Sequence, residues 1–263
     1  MDALFHGLSA LALAIFAWGV FERVRFWLRP GLRGLVEGVD VGAAFRSPAG
    51  GLKASPTFWW RAFSLRALFW NGLVQRQVWR ESRQRWLMHL SLSWSFAGLF
   101  AIGSGGNLLI DVGVPLAKDD HWFAATNDFL GLTLLLGVAI ALQRRFLSPQ
   151  PHVRTVFEDT AILGLLAFLA LSGYLVEAAR YLKEGTPAGA AAYAFLGYPL
   201  SRALEPLGAD WARLHDAFWW LHASSGLALV AYLPYSKLFH MFASPATIAI
   251  SAPPAEEVAA WPR

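Results

Sequence analysis

Residues 86–110, WLMHLSLSWSFAGLFAIGSGGNLLI, contain no Asp, Glu, Lys or Arg. As an α-helix this stretch rises about 37 Å, more than the roughly 30 Å of hydrocarbon in a bilayer. It therefore predicts a membrane-spanning helix. The helix carries one imidazole, that of His89, near the end that follows the basic residues Arg83 and Arg85.

Four further apolar stretches are long enough, or nearly so, to span a bilayer. They are residues 3–21, 129–143, 160–176 and 217–236. The second of these reaches a normal length when extended back to His121, which admits Asp128, and the third extends toward Asp159 or Glu177. The sequence predicts an all-α integral membrane bundle of five helices over residues 1–248, with a disordered tail at 249–263.

The composition agrees with a protein whose solvent is a bilayer. Of the 263 residues, 56% are hydrophobic and 15% are charged, where soluble domains carry about 25% charged residues. The net charge of +4 does not indicate nucleic acid binding, because the basic residues follow membrane topology. The absence of cysteine excludes disulfides, thiolate-bound iron–sulfur clusters and c-type haem attachment on this chain.

The distribution of Lys and Arg predicts the orientation. Of 22 such residues, 17 fall in the segments assigned to one side, twelve of them within 22–86. The other side holds Lys118, Arg180, Lys183, Arg202 and Arg213. Because cytoplasmic loops hold the basic excess, we expect the N-terminus outside and the C-terminus inside, in a multi-pass protein of the cytoplasmic membrane. Asp2 and the basic residues after the first stretch favour a retained helix over a cleaved signal peptide.

A basic segment, residues 56–85, lies between the first two predicted spans. It begins PTFWWRAFSLRALFWNGLVQRQVWR, with Trp, Phe and Leu among Arg residues. This pattern is typical of an amphipathic helix on the inner membrane surface. Contact with lipid and docking of a soluble partner both agree with it.

Three histidines have the spacing of haem ligands. His222 and His240 are 18 residues apart, or five turns of a continuous helix, so both would leave one face about 27 Å apart. His89, at the inner end of an antiparallel span, would lie at the depth of His240. These two imidazoles can take both axial positions of one haem iron. Alternatively, each histidine makes a polar contact between helices.

The outer half leaves the number of haems open. A second haem at His222 needs an opposite ligand, and the outer part of the second span has neither His nor Met. His215 lies on the same helix face as His222 and cannot oppose it. His6 and His121 remain as candidates, with the alternative that either is an interfacial side chain.

The last predicted helix carries the strongest resemblance to a known family. WLHASSGLALVAYLPYSKLFHMFASP (220–245), QRRFLSP (143–149) and MHL (88–90) resemble the gamma subunit family of respiratory nitrate reductase. This resemblance implies a five-helix b-type cytochrome with an outer N-terminus. In that family the second helix carries a further histidine, at the position where this chain has Leu99. The resemblance therefore implies only His222 as a ligand of the outer haem.

Other stretches are closer to a sister group. Residues 72–100 and 158–180, with the pair His215 and His222, resemble cytochrome b subunits of heterodisulfide-reductase-like iron–sulfur oxidoreductases. The resemblance implies a separate, cysteine-rich iron–sulfur partner on the cytoplasmic side. We expect it to dock on the basic segment and on the loop 144–158, where Arg144, Arg145 and His152 are candidate contacts.

Together these features predict a subunit that transfers electrons between quinone and the iron–sulfur partner, with one haem b and a possible second. Quinone chemistry needs a titratable group at the membrane edge, and topology places Asp128, His121 and His222 at the outer edge. Asp128 can instead cap or pair within a helix interface. The alternative functions are the gamma subunit of a nitrate-reductase-type molybdoenzyme and a haem-free membrane anchor.

Pro234 interrupts the backbone hydrogen bonding of the fifth predicted span. We expect it to bend this helix just before His240.

Overall fold

The computed structural model describes residues 2–27, 64–106, 121–149, 155–189, 191 and 193–250. All regular structure within these ranges is helical, which confirms the predicted all-α class. The α-helices in chain order are α1 (Asp2–Trp27), α2 (Leu65–Ala67), α3 (Arg76–Glu81), α4 (Arg83–Phe100), α5 (His121–Leu142), α6 (Phe157–Glu184), α7 (Gly197–Leu204), α8 (Trp211–Tyr232) and α9 (His240–Ile250). The π-helical segments Leu68–Leu73, Ala101–Gly105 and Gln143–Leu147 continue α2, α4 and α5.

Four helices are long and apolar enough to cross a membrane. They comprise Ala3–Arg25, Arg83–Gly103, His121–Leu147 and Phe157–Glu184. These segments agree with the first four predicted spans and show that the third helix extends back to His121 and that the fourth passes Glu177. Large apolar side chains such as Phe129, Leu132 and Leu136 are exposed on α5. Lipid chains would cover such surfaces in a membrane.

The fifth predicted span is not a continuous helix. Helix α8 ends at Tyr232, two 3-10 turns follow at Leu233–Tyr235 and Lys237–Phe239, and α9 begins at His240. Pro234 therefore ends the helix and does not merely bend it. Because 233–239 is not α-helical, the expectation that His222 and His240 share one helix face is wrong. The existence of a fifth membrane span stays a prediction.

The chain divides into two compact units, residues 82–227 and residues 1–81 with 228–263. In the first unit α5 packs against both α4 and α6. Small residues allow the close approach, since a Cβ at Gly137 would lie 3.0 Å from the backbone nitrogen of Leu92. A hydrogen bond of 2.6 Å between Ser95 Oγ and Thr133 Oγ1 also joins α4 to α5.

In the second unit α1 packs against the turn at Leu233–Tyr235. A Cβ at Gly19 would lie 2.7 Å from Pro234 Cβ, so only glycine allows this contact without a shift. Arg23 Nε donates to the carbonyl of Pro234 at 3.0 Å. The turn that follows α8 is thus held by the first helix.

The basic segment is only partly described, because residues 56–63 lie outside the described ranges. Its remainder forms short helices separated at Gln75, whose φ is 57°. The expectation of one continuous helix is therefore wrong between 65 and 81. Phe69, Trp70 and Trp79 are nevertheless exposed, as a lipid or partner surface requires. Of the predicted disordered tail, 249 and 250 end α9 and 251–263 lie outside the described residues.

Candidate functional site

His240 is the first residue of α9, and its side chain is exposed in this chain. Its Nδ1 lies 2.5 Å from the carbonyl oxygen of Lys237. A carbonyl only accepts hydrogen bonds, so Nδ1 is the donor. In the neutral ring the lone pair is then on Nε2, the arrangement found in metal-binding histidines whose other nitrogen donates to a carbonyl.

The turn before His240 is fixed by Ser236, which is buried. Its Oγ accepts from the backbone N–H of Leu238 at 3.1 Å and donates to the carbonyl of Leu233 at 3.0 Å. The guanidinium of Arg23 lies 5.8 Å from the ring centre of Phe239. These contacts hold the backbone that presents His240.

His222 lies on α8 and is half-buried. Its Nδ1 is 2.9 Å from Ser172 Oγ, which itself donates to the carbonyl of Leu169 at 3.3 Å. Because the hydroxyl has one hydrogen, Nδ1 of His222 is the donor to Ser172, and Nε2 again holds the lone pair. A Cβ at Gly173 would lie 3.4 Å from His222 Cε1, so the imidazole packs closely on α6.

His89 is half-buried on α4, three turns before the end of that helix. It belongs to the unit 82–227, whereas His240 belongs to the other unit. The pairing of these two residues on one iron stays a prediction.

The two candidates for the ligand opposite His222 lie on exposed positions. His6 is exposed on α1, and His121 is the exposed first residue of α5. The imidazole of His121 stacks on Tyr193 with 4.1 Å between ring centres. This contact agrees with the interfacial alternative for His121, and the ligand role of either residue stays a prediction.

Asp128 is completely buried on α5. Its Oδ2 accepts backbone hydrogen bonds from Leu196 at 2.6 Å and from Gly197 at 3.2 Å, at the start of α7. These contacts match the alternative in which Asp128 caps a helix. The predicted quinone-site residues Asp128, His121 and His222 thus bind different neighbours, and their common site stays a prediction.

Sequence reasoning missed three polar residues of α6 around Asp128. The hydroxyl of Tyr174 donates to the backbone carbonyl of Asp128 at 2.7 Å, and that of Tyr181 donates to Glu177 Oε1 at 3.1 Å. The carboxyl of Glu177 covers Gly197, where a Cβ would overlap it. The available signal in the sequence was that two adjacent apolar spans each contain a carboxyl group, Asp128 in one and Glu177 in the other. Glu177 was interpreted only as the limit to which the fourth span extends.

A surface network joins the end of α6 to the start of α8. Asp216 Oδ1 lies 3.3 Å from Lys183 Nζ and 3.2 Å from His215 Nδ1. The hydrogen bonds from His215 and Lys183 hold the pKa of Asp216 below its usual value. His215 therefore serves in an ion network, in agreement with its exclusion as a ligand opposite His222.

The predicted docking residues of the 144–158 loop have partners within the chain. Arg144 Nη1 donates to Gln84 Oε1 at 2.9 Å, and Arg145 Nη1 forms a salt bridge of 3.0 Å with Asp159. His152 lies outside the described residues. Both arginines are thus positioned by neighbouring helices, and their contact with a partner stays a prediction.

Known proteins similar to this chain include both groups that its motifs resemble. The sequence profile of the nitrate reductase gamma subunit family matches residues 106–253. A subunit of the dihydromethanophenazine:CoB–CoM heterodisulfide reductase of Methanosarcina barkeri is 26% identical over 260 residues, covering 90% of this chain and 87% of that protein.

Two further relatives are similar. The corresponding heterodisulfide reductase protein of Methanosarcina mazei is 27% identical over 263 residues, covering 92% of this chain and 90% of its own length. The EtfAB:quinone oxidoreductase of Syntrophomonas wolfei is 25% identical over 260 residues, which cover 92% of this chain and 32% of that protein. No solved structure matches the chain.

Proposed function

The chain belongs to the nitrate reductase gamma subunit family, and we propose that it is a membrane-embedded cytochrome b subunit. It transfers electrons between a quinone pool and an iron–sulfur oxidoreductase on the cytoplasmic side. Relatives named as subunits of a heterodisulfide reductase and as a quinone oxidoreductase support this assignment. The four apolar helices support a position within the membrane.

The observation that carries the haem proposal is the hydrogen bond from His240 Nδ1 to the Lys237 carbonyl. It orients the imidazole and places its hydrogen on Nδ1, the tautomer that binds iron through Nε2. His240 and His89 are the proposed ligands of one haem b, and His222, oriented in the same manner by Ser172, is a proposed ligand of a second. A haem held in this way supplies a one-electron carrier within the membrane.

The ligand pair is tested by single substitutions. His89→Ala and His240→Ala should each remove one haem per polypeptide, measured by pyridine haemochrome on the purified protein. His215→Ala is the matched control, because this imidazole lies in the Asp216 ion network and should leave the haem content unchanged. Full haem content in both ligand variants would contradict the assignment.

The proposals of a quinone and of an iron–sulfur partner are tested separately from the haem ligands. The chain has no cysteine, so iron–sulfur chemistry must come from a partner. A reduced quinol analogue should reduce the haem of the purified protein, and the reduced haem should then be oxidised by the iron–sulfur partner. If the quinol analogue did not reduce the haem in protein that retains its haem, only the quinone proposal would be contradicted.

A second candidate is the gamma subunit of a nitrate-reductase-type molybdoenzyme. The family match favours it, since the family bears that name. The heterodisulfide reductase relatives match about nine-tenths of this chain and favour the heterodisulfide-type partner instead. Purification of the intact complex separates the two, because a molybdenum-containing partner would support only the nitrate type.

A further inference from the structure

Two carboxyl groups, on the apolar helices α5 and α6, lie against the start of α7, and the described residues place no cation between them. Asp128 on α5 is completely buried, and its Oδ2 receives both N–H groups at the start of α7. Glu177 on α6 lies over Gly197 of the same helix start, with its Oε1 bonded to Tyr181. One oxygen of each carboxyl group therefore already accepts a hydrogen bond.

The other two oxygens define the site. Asp128 Oδ1 and Glu177 Oε2 are both buried and have no hydrogen-bond partner among the residues that the structure describes. Both carboxyl groups lie against Gly197, whose N–H donates to Asp128 Oδ2 at 3.2 Å and whose Cβ position is covered by the Glu177 carboxyl. Ionised carboxylates only accept hydrogen bonds, and two such charges in contact repel strongly in an apolar interior. One proton between them supplies the missing donor and removes one charge.

The neighbouring groups do not remove the need for this proton. The hydroxyls of Tyr174 and Tyr181 are committed to the Asp128 carbonyl and to Glu177 Oε1. Arg180, three residues after Glu177 on α6, forms a salt bridge with Glu184 at 3.0 Å. Within the described part of the chain, neither carboxyl of the site forms a salt bridge.

Tyr181 connects the carboxyl pair to a pocket. This residue lines a cavity of about 180 Å³ together with residues that include Tyr198, Ser201, Arg202 and Glu205. A cavity of this size holds several water molecules, each of which occupies about 30 Å³ in the liquid. Tyr181 both lines this cavity and bonds Glu177 through its hydroxyl, so it offers a route for a proton between the cavity and the pair.

We infer that Asp128 and Glu177 form a proton-binding site, in which one exchangeable proton is shared by Asp128 Oδ1 and Glu177 Oε2. The role of this site rests on the proposed function, because quinol oxidation releases protons together with electrons. A carboxyl pair within the membrane helices can take up such a proton once its own shared proton has passed to the pocket. Tyr181 is the positioning residue that opens the site to the pocket.

Infrared spectroscopy of the purified protein tests the site directly. At neutral pH we expect the C=O stretching band of a protonated carboxylic acid, shifted to lower frequency in D₂O. Asp128→Asn and Glu177→Gln should each abolish this band, because their amide N–H can replace the shared proton and preserve the fold. Glu184→Gln is the control, since this exposed carboxyl pairs with Arg180 and should leave the band unchanged.

A Tyr181→Phe variant tests the route. It should retain the band but slow its hydrogen–deuterium exchange, whereas Tyr232→Phe, at an exposed position, should not. Absence of the band in the wild type, or its persistence in both isosteric variants, would overturn the proton site, and unchanged exchange in Tyr181→Phe would overturn the route. Haem content measured on the same samples keeps the two proposals separate, because a band without haem contradicts only the proposed function.

Discussion

At the scale of single residues, two imidazoles are oriented by hydrogen bonds at Nδ1. His240 is bonded to a backbone carbonyl and His222 to a hydroxyl that is itself committed elsewhere. The sequence indicated both histidines as ligand candidates because imidazoles in apolar helices need a partner or a function. It could not indicate Lys237 or Ser172 as their partners, since these contacts depend on the local turn and on the packing of α6 against α8.

Ser236→Ala should weaken the binding of the haem at His240. The substitution removes the side-chain hydrogen bonds to Leu233 and Leu238 and should destabilise the turn by about 1 kcal/mol. We expect roughly tenfold weaker haem affinity, because the turn orients a ligand. Haem loss during titration with an apo-globin acceptor measures the effect.

Ser225→Ala is the control for this change. Ser225 Oγ donates to the Leu221 carbonyl within α8 and supports no turn. Equal haem retention in the Ser236 and Ser225 variants would mean that the turn does not position the ligand.

At the scale of helices, small residues set the distance between α4 and α5. The sequence predicted both helices from their apolar length, but the tight pairing of Gly137 with Leu92 depends on the relative position of two helices. The end of α8 shows the same limit. Because proline has no backbone N–H, Pro234 predicted a missing hydrogen bond in this helix. The complete end of α8 also involves the Ser236 hydroxyl and the distant Arg23.

Gly137→Ala should destabilise the protein by about 1–3 kcal/mol, because the new Cβ would press on the Leu92 backbone. Gly164→Ala, in α6, has nothing within 4 Å of the new Cβ and should be neutral or stabilising by up to about 1 kcal/mol. Reversible denaturation in detergent measures both variants. A smaller loss at Gly137 than at Gly164 would refute the packing argument.

The ion network between α6 and α8 should make stability depend on acid pH. The pKa of Asp216 is lowered in the folded protein, so its stabilising effect is present above the usual carboxyl pKa and is lost as the pH falls through the folded value. Asp216→Asn should therefore lower the unfolding midpoint slightly at neutral pH and not in strong acid. High salt should reduce the difference, because the group is exposed. A difference that is independent of pH would contradict this role.

At the scale of the whole molecule, apolar length correctly predicted the helical class and four helices long enough to cross a membrane. Charge distribution gave an orientation that stays a prediction, since the positive-inside rule concerns insertion rather than helix packing. Of the two carboxyl groups in the proposed proton site, the sequence indicated only one as a site residue. Asp128 was identified, whereas its partner Glu177 became apparent only when α5, α6 and α7 were seen to meet.

The absence of cysteine makes the orientation directly testable. Leu207→Cys and Leu147→Cys place single thiols at two exposed leucines, on the predicted outer and inner sides respectively. A membrane-impermeant maleimide should label the first in intact cells and the second only after permeabilisation. The opposite labelling pattern would reverse the predicted topology.

The central claim is that this chain is a membrane cytochrome b, and a dithionite-reduced minus oxidised visible spectrum with haem quantitation tests it most directly. The measurement uses the full chain, purified from cells supplied with haem. We predict a b-type spectrum with one haem per polypeptide if His89 and His240 alone bind iron, or two if His222 also does. A folded preparation without any haem spectrum would contradict the claim and would leave the haem-free membrane anchor as the function.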